Sequence, residues 1–137
     1  MKLIRVTTEN KIDMFEFPTG TIQEQNEKLR ELIGQDCELL EVVKPRGLYD
    51  HIRCSADPES GNAVCMLVDE EGLLKDLKYN YIGSLFYDRW LIIAGNVLFV
   101  GMERGMDGGI DICGIQEQEA KRIYDLFSKC IFLKERI

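Results

Sequence analysis

Two β-prone runs, Lys2–Val6 and Ile12–Phe17, are separated by Thr7-Thr8-Glu9-Asn10-Lys11, so the chain is expected to open with a hairpin. The spacing then turns helical. Thr21-Ile22-Gln23-Glu24 reads as a capping box, and the helix it starts is expected to reach Ile33, with Ile22, Leu29, Leu32 and Ile33 inward and Gly34 as a left-handed C-cap. A strand over Cys37–Val43 follows. From Lys44 to Asn62 periodicity vanishes and Pro45, Gly47, Pro58 and Gly61 punctuate the segment; loops of this length are usually functional or disordered. Ala63–Val68 reads as a buried strand, Asp69-Glu70-Glu71-Gly72 as its turn and Leu73–Leu77 as a short partner. Asn80 can N-cap a helix through Tyr87 with Ile82, Leu85 and Phe86 inward. Leu91–Ala94 and Val97–Met102, interrupted at Gly95-Asn96, are expected to join Met66–Val68 at the centre of the sheet. Glu103–Asp111 reads as a mobile, hairpin-like loop, and a closing helix from Gln116 to Lys129 turns Ala120, Ile123, Tyr124 and Phe127 inward. The order predicts an α+β fold: a single domain over residues 1–137 with a mostly antiparallel sheet, two main helices and one short helix.

A chain of 137 residues can bury one ordinary core without metal or disulfide staples. The longest uncharged stretch, Trp90 to Met102, is 13 residues and is broken by Gly95-Asn96, short of the ~20 a membrane-spanning helix needs, so no membrane partner is expected. Polar residues from Thr7 onward interrupt any signal-peptide core, and a cytoplasmic protein is expected. Five cysteines without a C-x-x-C pair read as reduced thiols.

Net charge is −7: residues 1–43 hold five basic and nine acidic side chains, residues 44–65 three of each, and residues 66–137 nine and twelve. A nucleic-acid backbone needs a positive surface, so direct nucleic-acid binding is not expected, while a protein with a basic groove remains open as a partner. His51, Cys54 and Cys65 have near-metal spacing but lack a second close pair, and Asp69-Glu70-Glu71 points three carboxylates in different directions on a turn. No metal site and no cofactor is expected. No Ser-His-Asp spacing, metalloprotease motif or deaminase signature is present, and the glycines of Gly101–Gly109 lack the lysine and helix of a phosphate loop.

Two surfaces remain as candidates. Lys44, Arg46, His51 and Arg53, with Tyr49 interleaved, form the one locally basic patch; that combination can stack on a base and pair with a phosphate, and Asn80 and Asn96 are candidate additions to such a ligand site. The first helix carries Glu24, Glu27 and Glu31 at spacings that can imitate phosphates and fill a basic groove. Glu24 with Lys28, and Glu27 with Arg30, also fit the pairing of a solvated helix.

Five blocks carry a resemblance: Leu32-Ile33-Gly34, the run Met66 to Leu74 with its acidic-glycine turn, the run Asn80 to Tyr87, Ile93-Ala94-Gly95-Asn96-Val97, and Gly114-Ile115. Together they are similar to a family of small domains carried by phages, plasmids and integrated elements. The resemblance implies an accessory protein with a host-takeover or counter-defence role, and some small acidic phage proteins of this kind block CRISPR nucleases. It leads to a non-enzymatic inhibitor that binds a host defence protein stoichiometrically in the bacterial cytoplasm, through Glu24, Glu27 and Glu31. The alternatives are an oligomeric sponge for a nucleotide immune signal, using Lys44, Arg46, Tyr49, His51, Arg53, Asn80 and Asn96, and a small enzyme acting on a nucleotide.

Overall fold

In a computed structural model, which describes residues 1–88 and 91–136, the opening hairpin is formed by β1 (Lys2–Val6) and β2 (Ile12–Glu16), with Lys2 opposite Glu16 and Val6 opposite Ile12. Its turn places Asn10 at φ 65°, a left-handed conformation that asparagine tolerates. The helix α1 (Ile22–Ile33) begins with the capping box: Thr21 Oγ1 accepts from the Glu24 N–H at 3.1 Å, and Glu24 Oε1 accepts from the Thr21 N–H at 3.1 Å. Gly34 does not end it in the left-handed region as its residue type suggested. With φ 175° it is extended, and its N–H donates to Arg30 O while the chain leads off toward β3 (Leu40–Val43). That strand is shorter than the expected Cys37–Val43.

The segment after β3 contains the four-residue helix α2 (Arg46–Tyr49), whose Leu48 is fully buried, where no periodic element was expected. Next come β4 (Val64–Asp69), α3 (Tyr81–Tyr87), β5 (Val97–Arg104), β6 (Ile110–Cys113) and α4 (Glu117–Arg136). Pairing is antiparallel throughout, in the order β2-β1-β5-β4-β3, with β6 beside the far end of β5. The fold is therefore α+β with a six-stranded antiparallel sheet. β4 and β5 are central, and alternate residues pack against opposite faces. Ile4, Met66, Val97 and Phe99 face Ile82, Phe86, Ile123 and Phe127 of α3 and α4, while Leu3, Cys65, Leu67 and Leu98 face Leu29 and Ile33 of α1. Burial on both faces explains why these strands read as continuous apolar runs.

Several sequence expectations fail for identifiable reasons. Leu91–Ala94 is not a strand. Ser84 Oγ accepts from the Ile93 N–H at 2.8 Å and Ile93 O accepts from the Asn80 N–H, so α3 captures the backbone groups a ladder would use. Leu73–Leu77 coils as turns through Lys75 N–H to Glu71 O and Leu77 N–H to Gly72 O, with Asp76 at φ 56°. The expected hairpin-like loop at Glu103–Asp111 is a hairpin whose strands reach further into it than expected: β5 and β6 register Arg104 with Ile110, leaving a five-residue tip at 105–109. α4 continues seven residues beyond the expected Lys129 to Arg136. Ile22, Leu85 and Tyr124, expected inward, are exposed, and Leu32 is half-buried.

Candidate functional site

Four of the five sequence blocks meet at one end of the sheet, where they build a structural junction; the fifth, Gly114-Ile115, pairs with Lys2 at the opposite end of β1. Asn80 is fully buried; its Oδ1 accepts from the Gly83 N–H at 2.8 Å and caps α3, while its Nδ2 donates to Val6 O at 3.0 Å and Gly95 O at 2.9 Å. Asn96 ties the hairpin turn to α1, accepting from the Thr8 N–H at 3.1 Å and donating to Ile33 O at 3.0 Å. The acidic turn makes a second knot. The Asp69 carboxylate, almost wholly buried, accepts from Lys75 Nζ at 2.8 Å and from the Glu71 N–H at 2.9 Å, and the same Nζ donates to Asp36 O at 2.6 Å. Gly72 packs so closely that a Cβ there would lie 2.7 Å from Ala94 O. Asn80 thus spends its amide inside the protein, while Asn96, half-buried at a small surface cleft beside Asp36 and Lys78, commits its amide to Thr8 and Ile33. Asp69, expected on a solvated turn, is instead a buried ion-pair partner.

The basic loop is likewise dispersed. Tyr49 turns inward and donates its hydroxyl proton to Val64 O at 2.6 Å, and burial pushes its phenol well above the ordinary value; its ring is not free to stack on a base. His51 Nδ1 lies 2.8 Å from Gly47 O, so that nitrogen carries the proton, and the ring meets Phe86 edge-on at 5.8 Å. Lys44 and Arg53 are exposed and lie off the groove that Arg46 lines.

Arg46 stands on the rim of a groove of about 740 Å³ between α2 and α3, with Asp50, Tyr79, Tyr81, Leu85, Leu91 and Ile92. Gly47 lets the two helices approach, since a Cβ there would sit 3.2 Å from Phe86 Cα. The exposure of Leu91 and Ile92 was invisible in the sequence, where the pair reads as strand interior. On the opposite face of the sheet a smaller cleft of about 300 Å³ separates α1 from β3; Asn26, Leu29, Arg30, Glu38, Leu39 and Val42 wall it, and Leu39 and Val42 are half exposed. The carboxylates on this side differ in availability. Glu24 is held below the usual carboxylate range by the Thr21 backbone N–H and hydroxyl, Glu31 lies 3.8 Å from Lys28, and Glu27 and Glu38 are exposed with no side-chain partner among the described residues.

Cys54 and Cys113 line a partly open cavity of about 180 Å³ that reaches Ile115 and Ile123, and burial pushes both thiols up to about 11. Cys65, buried deeper in β4, is pushed to about 12. A shift from 9.0 to about 11 cuts the thiolate fraction at a given lower pH about a hundredfold. In the folded protein at pH 8, Cys54 and Cys113 are therefore expected to react with iodoacetamide about tenfold more slowly than an unperturbed thiol, because the more basic thiolate is the better nucleophile and recovers part of the loss. Mass-resolved alkylation kinetics check this, and rates equal to those of the unfolded chain would place both thiols in water. No group of three metal-ligating side chains is assembled among the described residues, and no helix among them is long and apolar enough to cross a membrane.

The arrangement defines a small α+β domain in which Asn80, Asn96 and the Asp69 turn hold the scaffold and whose candidate surfaces are the two grooves. The chain belongs to a family described as a domain of unknown function, DUF3846, whose model matches residues 1–128. No curated protein and no solved structure matches the chain.

Proposed function

We propose that this chain is a non-enzymatic accessory protein of phages or other mobile elements, acting in the cytoplasm of a bacterial host by stoichiometric binding to a defence effector such as a CRISPR nuclease. The observation that carries this reading is the α1/β3 surface, where Leu39 and Val42 stand half exposed in a cleft bordered by Glu38 and by the α1 helix that bears Glu27 and Glu31. Exposed apolar side chains edged by Glu38 and Arg30, with Glu27 and Glu31 on the helix alongside, suit a partner whose own surface is apolar and bordered by lysine and arginine, as a nucleic-acid groove is. Carboxylates there would replace phosphates, while the apolar cleft would supply the burial that holds the complex. The motif residues support the same reading indirectly. Because they are spent on the junction, variation of the surface can change the target without disturbing the fold.

A DNA-cleavage assay with the host's CRISPR nuclease tests this. Titration of the protein is expected to abolish cleavage near one equivalent. Replacing Glu27, Glu31 and Glu38 together by lysine is expected to weaken inhibition by about ten- to a hundredfold, more at low salt than at high salt. Glu24 is left intact because its reversal would remove the cap of α1. Unchanged inhibition by the triple variant would remove the carboxylates from the mechanism, and no inhibition at any excess would remove the nuclease as target.

A further inference from the structure

A chain with net charge −7 repels its own copies unless they meet where the local charge balances. The groove between α2 and α3 is such a place. Arg46 and Asp50 stand four residues apart on its rim, and neither side chain has an ion-pair or hydrogen-bond partner among the described residues. Lys134 adds a further positive charge, its Nζ 5.3 Å from the centre of the Tyr81 ring, and brings the end of α4, with Phe132 and Leu133 exposed, to the groove's edge. The groove walls are apolar and open to water: Tyr79 is 52% exposed, Leu85 48%, Leu91 49% and Ile92 58%. Large half-exposed side chains gathered around one groove mark a contact surface rather than ordinary scatter.

We propose that this groove is the contact surface of a homodimer, in which Leu85, Leu91 and Ile92 of two copies close against each other and Arg46 of each copy faces Asp50 of the partner subunit. A two-fold interface brings the same patch to itself, so it must carry both signs of charge, and this patch does. A basic foreign partner would instead be drawn to the acidic α1 side. The groove lies across the sheet from α1, so pairing leaves both α1/β3 surfaces exposed and makes the assembly bivalent toward any target that presents two sites. The inference does not depend on what α1 binds.

Sedimentation velocity and light scattering on the full chain test it. The wild type is expected to associate with rising micromolar concentration to a species of twice the 15.8 kDa chain mass. Leu85→Glu and Ile92→Glu, both at exposed positions, are expected to give monomers whose thermal midpoint matches that of the wild type at concentrations low enough for it to be monomeric too. Arg46→Asp and Asp50→Arg should each weaken association by about tenfold or more, and the two together in one chain should restore it. A wild type that stays monomeric, a dimer that survives both leucine and isoleucine replacements, or a dimer lost on Ile22→Glu at the α1 side would overturn the proposal. Failure of the double charge swap to restore association would overturn the pairing of Arg46 with Asp50.

Discussion

Replacing Asn80 by alanine is expected to lower the free energy of unfolding by about 3–6 kcal/mol, one of the two largest losses anticipated in this chain. The side chain is fully buried and serves three backbone groups at once, the Gly83 N–H and the carbonyls of Val6 and Gly95. Alanine leaves all three without their partner where water does not replace it, and each unsatisfied group costs about 1–3 kcal/mol. Asn80→Asp is expected to rescue little. It keeps the acceptor that caps α3, yet it loses both donors and sets a carboxylate against two carbonyl oxygens. Denaturant unfolding of the wild type and both variants measures the effect. A loss below about 1 kcal/mol for the alanine variant would mean that the junction relaxes or admits water.

Asn80 also shows where sequence reasoning stops. Its role as a helix cap was legible, because the capping bond reaches only three residues ahead. Its bond to Val6 spans 74 positions and left no local trace. The same division runs through the fold. Thr21 and Glu24 declare their box within four residues, and β4 and β5 declare themselves as apolar runs because both faces of each are covered. Leu91–Ala94 has the same composition as those strands, and only the long-range capture of Ile93 by Asn80 and Ser84 keeps it out of the sheet.

The candidate site was less legible than the fold. Glu27 and Glu31 were placed outward correctly by helical spacing, yet the apolar cleft beside them depends on Leu39 and Val42, which read as ordinary strand residues. Leu85 follows Ile82 at helical spacing and precedes Phe86, so pattern alone put it inward. The helix is covered on the side of Ile82 and Phe86 only, and Leu85 is left on the wall of the groove. In the basic loop, charge marked residues that α2 then separates: Arg46 reaches the groove, while Tyr49 turns into the core beneath it.

Phe99→Ala is expected to cost about 3–5 kcal/mol, the range for removing a fully buried phenylalanine with incomplete collapse of the space. Phe99 sits at the middle of β5, opposite Ile4 on one side and Met66 on the other, with no exposed surface. Its ring centre lies 4.7 Å from that of Phe127 on α4, which in turn lies 5.2 Å from Phe86 on α3. This file of rings fastens the two helices to the sheet, so the loss includes aromatic contact beyond the area buried. The double variant Phe99→Ala with Phe127→Ala should accordingly destabilise by less than the sum of the single losses, because each single change already breaks the shared contact and loosens the same cavity. Denaturant midpoints for the three variants, read at unchanged slope, measure both quantities. An unchanged midpoint for Phe99→Ala would place that side chain outside the core, and strict additivity would mean that the Phe99–Phe127 contact contributes nothing of its own.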